Sequence, residues 1–501
     1  SRGLGDVYKR QVYTFTGTAA AATTAIRQLI FQPTENRVAV TSTETSTFEI
    51  SVDDLIATAV TNNTTTVISE AYNDAHILGG AVASQAVNDT STISPFANFE
   101  IGDADVPEQT LTLSVTVDAA AKGVFTSGSL TTAGMVHQGD GVYTRTGTAS
   151  DLQTAIRALV FDPTENRVAV GETETTTFTV SVDDGLINPV TNTTTTVVST
   201  SVNNAPSISG AVSSQALNDT ATISPFSGVT FSDVDLSTVL TITITLDVEA
   251  KGVFTSQSLT ESGFVSTGGG VYTFTGTTSE ATAAIQVLVF DPTENRVAVG
   301  NTETITFDID VNDSFTNTTD SDTTVVSTSI NTAPTISGVD VGGAVSDNDT
   351  VQAFFEVTIA DADVGNQSQT VTVTITDTEK GSFTGDSLTA SGFVNAGGGA
   401  YTFTGTAAQA TTAIRQLSFQ PVSNRITIGQ TEQTAFTIEV EDAENATVTN
   451  TDSVVVVTPV SDAATIVNVT NNTTINDTAT SNPFSGVTIN DADGDTNTIY
   501  V

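Results

Sequence analysis

The chain has 501 residues, 38% of them hydrophobic, with 14 Lys and Arg against 57 Asp and Glu and a formal net charge of −43. A chain this acidic repels nucleic acid and anionic membrane surfaces, and it draws cations, hard divalent ones above all. It has no cysteine, which excludes disulfides and thiol chemistry, and no apolar run long enough to cross a bilayer as a helix.

In chain order, the first segment is Ser1–Gln11. It matches nothing else in the sequence and holds Arg2, Lys9 and Arg10, three of the 14 basic residues. It reads as a foreign leader, outside the fold. From residue 12 onward the sequence repeats itself. Phe31-Gln-Pro-Thr-Glu-Asn-Arg37 returns at Phe161–Arg167, Phe290–Arg296 and Phe419–Arg425, and its prolines, Pro33, Pro163, Pro292 and Pro421, stand 129 or 130 residues apart. Tyr13, Tyr143, Tyr272 and Tyr401 open a second marker, and Lys122, Lys251 and Lys380 a third. A period of this length is one independently folding domain, too long for a solenoid unit. Asn203-Asn-Ala-Pro206 and Asn331-Thr-Ala-Pro334 read as short stiff linkers, with weaker forms at Asn73–His76 and Ser461–Ala464. The expected division is a partial repeat at 12–72, whole repeats at 73–202, 203–330 and 331–459, and a truncated repeat at 460–501.

Within a repeat, Leu240–Leu246 and Thr306–Val311 alternate apolar and polar residues, the mark of strands with one buried face. Thr and Val dominate, and Gly-rich breaks such as Thr267–Gly270 separate the segments. Seven or eight strands per repeat predict an all-β, Ig-like or cadherin-like sandwich. One stretch differs: Thr18–Leu29 is alanine-rich, with Thr18 as a cap and Ile26 and Leu29 on one side. It predicts one short helix per repeat, packed through Ile26 and Leu29, Ile156 and Leu159, Ile285 and Leu288, and Ile414 and Leu417.

The acids gather in three recurring places. An Asp-x-Asp follows an early strand: Asp103 and Asp105, Asp233 and Asp235, Asp361 and Asp363, and then Asp491, Asp493 and Asp495. A second group ends the strand before the last: Asp53 and Asp54, Asp183 and Asp184, Asp310 and Asp313, Glu441 and Asp442. A third lies in the Pro-Thr-Glu-Asn-Arg turn: Glu35, Asp162 with Glu165, and Asp291 with Glu294. Sandwich topology puts the first two groups at the linker end and the third at the opposite end, facing the next domain. Two carboxylates about 4 Å apart repel by about 1 kcal/mol even at the dielectric constant of water. Such crowding calls for a counter-ion. The oxygen donors suit Ca2+, and the clusters hold neither the histidine nor the cysteine that softer metals want. Solubility alone is the plainer explanation of the acids, and Glu165 could simply pair with Arg167.

Together these motifs resemble cadherin-type repeats, in particular the cadherin-like repeats of giant bacterial adhesins. The resemblance rests on the Asn203–Pro206 start, the Asp233/Asp235 pair and the Val311-Asn-Asp313 close, and it covers the chain after Gln11. It implies calcium between successive sandwiches, stiffening an elongated rod. Linker Asn203, Asn204 and Asn331 would join Asp233, Asp235, Asp310 and Asp313 and their counterparts. Asp162 and Glu165 would stand in for the family's Asp-Arg-Glu acids. The linkers lack the family's Asp-Asn-Asp run, which implies fewer ions.

The expected function is a calcium-binding stalk or adhesive region of a secreted or cell-surface adhesin. Partners would be calcium and, through domains outside this fragment, surface glycans or proteins. A carbohydrate-binding array is the alternative; it wants exposed aromatic platforms, but Trp is absent and the repeated Tyr sits in an alternating strand. Catalysis finds no support, because His76 and His137 fall at positions the repeats do not share and no nucleophile, phosphate-loop or zinc motif occurs.

Overall fold

The alternation in sequence becomes an alternation in burial. In the computed structural model, which describes residues 11–236, 238–365, 367–469 and 473–501, strand Val239–Leu246 buries Leu240, Ile242, Ile244 and Leu246 and turns its threonines outward. The leader expected at Ser1–Gln11 lies, but for Gln11, outside the described residues.

Segment 203–330 shows the pattern. Its main sheet runs Gln215–Asn218, Thr324–Thr328, Thr302–Asn312, Val239–Leu246, Val271–Thr277 and Val265–Gly268, with Asn317–Asp320 also paired to Thr302–Asn312. The long strand serves both halves: residues 302–306 pair antiparallel with 324–328, and residues 307–312 pair with 241–246. Gln215–Asn218 runs parallel to residues 325–328. Two small ladders complete the unit, Ser207–Ser209 with Thr230–Ser232 and Gly252–Phe254 with Phe290–Pro292. The same strand order recurs in 73–202 and in 331–459.

Between these layers lie three separate apolar cores, one with Phe178, one with Phe307 and one with Phe436. In the second, Phe254 meets Tyr272 edge-on at 4.8 Å, and Phe290 meets Phe307 at 5.1 Å. Each buried ring of this size stabilises by about 1.5–3 kcal/mol. The Lys-Gly marker has a steric cause: a Cβ on Gly252 would run into the Phe290 ring, and Gly123 and Gly381 face Phe161 and Phe419 in the same way. Tyr143, Tyr272 and Tyr401 are all buried, which removes them as stacking platforms for a sugar.

Each whole repeat carries two short α-helices where the sequence predicted one. The expected helix is there as Thr278–Gln286, capped by Thr277 in a capping box with Glu280, and it buries Ile285 and Leu288. The additional helix is Ser256–Ser262, capped by Thr255 and ended by Gly263 at φ 77°. It spans two turns with a single large apolar residue, Leu259, too little for a periodic signal. In residues 12–72 the helix Ala19–Ile26 forms, but Ile26 and Leu29 are 40% and 65% exposed.

The chain divides into two units, residues 1–204 with 234–237, and residues 205–233 with 238–501. The first holds the Phe178 core and the second the other two. No helix among the described residues is long and apolar enough to cross a membrane.

Candidate metal centres

Linker residues and loop acids meet through the same bonds in each unit. Asn73 Nδ2 donates to Asp184 Oδ2 at 2.7 Å, and Asn331 Nδ2 donates to Asp442 Oδ2 at 2.9 Å. The next backbone N–H turns to the Asp-x-Asp loop: Asp74 donates to Asp105 at 3.1 Å, Asn204 to Asp235 at 2.9 Å and Thr332 to Asp363 at 3.1 Å. Asp462 donates likewise to Asp493. Inside the loop, the N–H of the second Asp bonds the first: Asp105 to Asp103 at 3.2 Å and Asp363 to Asp361 at 3.0 Å. Asn203 Nδ2 donates to the carbonyl of Asn204 at 3.1 Å.

Of each predicted pair at the end of the long strand in residues 73–459, one acid enters the centre, whereas Asp53 and Asp54 are both exposed and close turns on the Leu55, Ile56 and Ala57 N–H groups. Asp184 Oδ1 takes the N–H groups of Leu186 and Ile187, Asp313 Oδ1 those of Phe315 and Thr316, and Asp442 Oδ1 those of Glu444 and Ala446. These turns lock one oxygen of each carboxylate, and in Asp184 and Asp442 they leave Oδ2 for the linker. The other predicted acids are held elsewhere. Asp183 closes a turn on the Gly185 N–H at 2.8 Å, Asp310 accepts from Asn317 Nδ2 at 2.9 Å, and Glu441 lies in the ladder opposite Thr370 and Thr447. In segment 203–330, one carboxylate oxygen from each of Asp233, Asp235 and Asp313 lies within 4.8 Å of the other two, with Asp235 and Asp313 buried.

In the Pro-Thr-Glu-Asn-Arg turn, asparagine reaches the linker. Asn36 Nδ2 donates to Asp74 Oδ2 at 2.8 Å, Asn295 Nδ2 to Thr332 Oγ1 at 3.3 Å and Asn424 Nδ2 to Asp462 Oδ2 at 3.1 Å. These asparagines sit in the left-handed region, φ 58°, 54° and 64°, a conformation their short polar side chain tolerates. Asp162 lies half-buried in a strand opposite Val124, and Glu165 is exposed. Arg167 pairs with Glu174 at 2.7 Å, not with Glu165.

A buried aspartate that the sequence reading passed over anchors this turn in residues 73–202, 203–330 and 331–459. Asp219 takes the Asn295 N–H at 2.9 Å and the Ile330 N–H at 3.1 Å. Asp89 binds Asn166 and Val202, and Asp347 binds Asn424 and Val460, in the same way. The signal was present, because Asn88-Asp89, Asn218-Asp219 and Ser346-Asp347 recur in step with the repeat.

The electrostatics match a crowded acid site. Burial raises the Asp105 carboxyl above its ordinary range; the Asp74 N–H opposes this, and the charges of Asp103, Asp74 and Asp184 add to it. Asp363 is raised in the same manner, by burial first and then by Asp361, Asp442 and Asp219, against the Thr332 N–H. Glu444, another acid outside the predicted set, is raised by burial and then by Asp442, Asp363 and Asp361. At Asp184, burial is the largest influence and pushes up, yet the Leu186 N–H, the Asn73 amide, the Ile187 N–H and His76 outweigh it and the carboxyl is lowered. Several oxygens are buried without any hydrogen-bond partner: Asp103 Oδ2, Asn331 Oδ1, Gln369 Oε1, Asn424 Oδ1 and Asp493 Oδ1. Acceptors gathered without donors are what a hard cation would satisfy, and the set fits Ca2+.

The arrangement is a tandem all-β repeat with acidic loops set against its linkers. Solved structures similar to it include a protocadherin gammaB7 EC3-6 cis-dimer, at 12% identity over 83% of this chain and 85% of that one with a TM-score of 0.30. Drosophila N-cadherin EC1-4 matches at 10% identity over 85% of each chain, TM-score 0.22. The C-terminal domain of the Streptococcus pyogenes antigen I/II-family protein AspA matches at 8% identity over 51% of this chain and 98% of that domain, TM-score 0.18. No protein-family model and no curated protein matches the chain.

Proposed function

We propose that this region is a calcium-braced stalk of a secreted or cell-surface adhesin, with residues 73–202, 203–330 and 331–459 as its folding units. Calcium bound at the linkers stiffens each one and so holds a distal binding head at a distance. The observation that carries the reading is the set of buried acceptor oxygens with no donor, Asp103 Oδ2, Asn331 Oδ1 and Gln369 Oε1 among them. Linker amides, the Asp-x-Asp loops and Asp184, Asp313 and Asp442 supply the oxygens. Extracellular calcium modules work at dissociation constants of about 10⁻⁴–10⁻³ M, so the medium outside a cell keeps such sites filled.

Thermal melting of the chain in millimolar calcium and in excess chelator tests this. Millimolar free ion, at about 1 to 10 times such a dissociation constant, stabilises each site's folded state by about 0.4–1.4 kcal/mol, so the midpoint should fall by a few degrees on chelation. Identical melting curves, with no calcium bound in equilibrium dialysis, would sink the proposal.

A further inference from the structure

The Asn73 linker ends in His76 where the linkers at Asn203 and Asn331 carry Pro206 and Pro334. The His76 side chain is fully buried, and neither of its ring nitrogens has a hydrogen-bond partner. Its Nε2 stands 3.5 Å from Asp184 Oδ2, the same oxygen that Asn73 Nδ2 meets at 2.7 Å. Asp103 Oδ2, buried and without a partner, and Asp105 belong to the same acid cluster.

A buried imidazole without a partner is costly, because both polar atoms have given up water. Calcium does not repair that cost, since its shell is built of oxygen. Zinc-class ions do, because imidazole nitrogen and carboxylate oxygen are both ordinary ligands for them. Two ligands each about 2.0–2.1 Å from a tetrahedral ion stand roughly 3.3 Å apart, and the His76–Asp184 separation is close to that value.

We propose that the Asn73 linker is a site for a divalent transition-metal ion of the zinc class, held by His76 Nε2 and Asp184 Oδ2. This rests on reading the acid-lined linkers as cation sites and assigns a different ion to this one. Among the described residues, the only trio of acid or imidazole ligand atoms within 4.8 Å of one another is Asp233, Asp235 and Asp313. At Asn73 the shell is therefore completed by water or by closure of Asp103 or Asp105, and binding is weaker than at a four-ligand structural zinc site.

The test uses the full chain, stripped of metal and titrated with Co2+ in the presence of millimolar calcium. The expected result is one equivalent of Co2+ with a visible ligand-field band, displaced by Zn2+. His76→Pro copies the other linkers and should weaken Co2+ binding at least tenfold. His137→Ala, which removes a ring stacked on Tyr143 at 4.6 Å, should leave it unchanged. If circular dichroism shows that His76→Pro has lost its fold, His76→Gln carries the comparison. Equal Co2+ affinity with and without His76, or no Co2+ binding, would leave only a His–Asp pair and overturn the proposal. Calcium dialysis on the same samples separates the two readings: calcium bound without cobalt removes this inference alone, and neither ion bound removes both.

Discussion

At Asn73 and at Asn331 an asparagine amide reaches the free oxygen of a turn-locked aspartate, and the next N–H reaches the second Asp of an Asp-x-Asp loop. The frames agree to within a few tenths of an ångström, yet they are finished differently. One linker ends on a buried imidazole and the other on proline. The Asn331 linker is also pinned from behind by Asp219 through Ile330 and Asn295, a contact for which the described residues offer no counterpart at Asn73. The difference teaches that frame and occupant are separable. Backbone donors and turn geometry build the frame before any ion arrives, and a few side chains choose what fills it.

The largest expected effect therefore comes from the frame. Asp219→Ala and Asp347→Ala each strip two backbone N–H groups of their buried acceptor. Each unsatisfied donor costs about 1–3 kcal/mol, so the affected repeat should lose about 3 kcal/mol by urea denaturation. The loss should be nearly the same in calcium and in chelator. A loss seen only in calcium would make these aspartates part of the ion site and merge the two roles.

Much of the frame was legible in the sequence. Leu240, Ile242, Ile244 and Leu246 alternate in sequence and are buried as the period demands. The acid loops were legible as groups, because carboxylates so dense in short loops need a reason. Which member of a pair enters was not. Asp184 rather than Asp183 faces Asn73 because Asp184 accepts the N–H groups two and three residues on, a property of the turn and not of residue type. The turn asparagines were missed because their role combines positive φ with a partner 37 or 38 residues away. The Thr255-capped helix was missed because two turns and one leucine leave no period to read.

The next effect separates the two linkers directly. Asp442→Asn keeps the size of the side chain and removes the charge that faces Asn331. Calcium affinity at that linker should fall about tenfold, or ~1.4 kcal/mol, read as a rightward shift of the calcium-dependent melting midpoint. Asp184→Asn should barely move the calcium response and should abolish the Co2+ band instead. Equal calcium shifts from both substitutions would show that the two linkers take the same ion and that the histidine is incidental.

The smallest effect concerns two glutamines that reach the Asp-x-Asp loops from different steps of the repeat, Gln369 standing at the step that Leu111 takes beside Gln109. Gln109 Nε2 donates to Asn73 Oδ1 and to Asp105 Oδ2, both at 3.0 Å, and Gln369 Nε2 donates to Asp361 Oδ2 at 2.5 Å. A neutral amide donor is the weakest counterweight an acid cluster can have, and an arriving cation takes over its work. Gln369 also keeps a buried, unpartnered Oε1 that can turn toward the ion. Gln369→Ala should therefore cost about 1 kcal/mol in chelator, the worth of an ordinary hydrogen bond. In saturating calcium the cost should shrink if the amide is only a placeholder, and grow if Oε1 is a ligand. Paired melts of Gln369→Ala and Gln109→Ala decide between these outcomes, since at Asn73 the amide already spends its donors on two partners and has less freedom to turn.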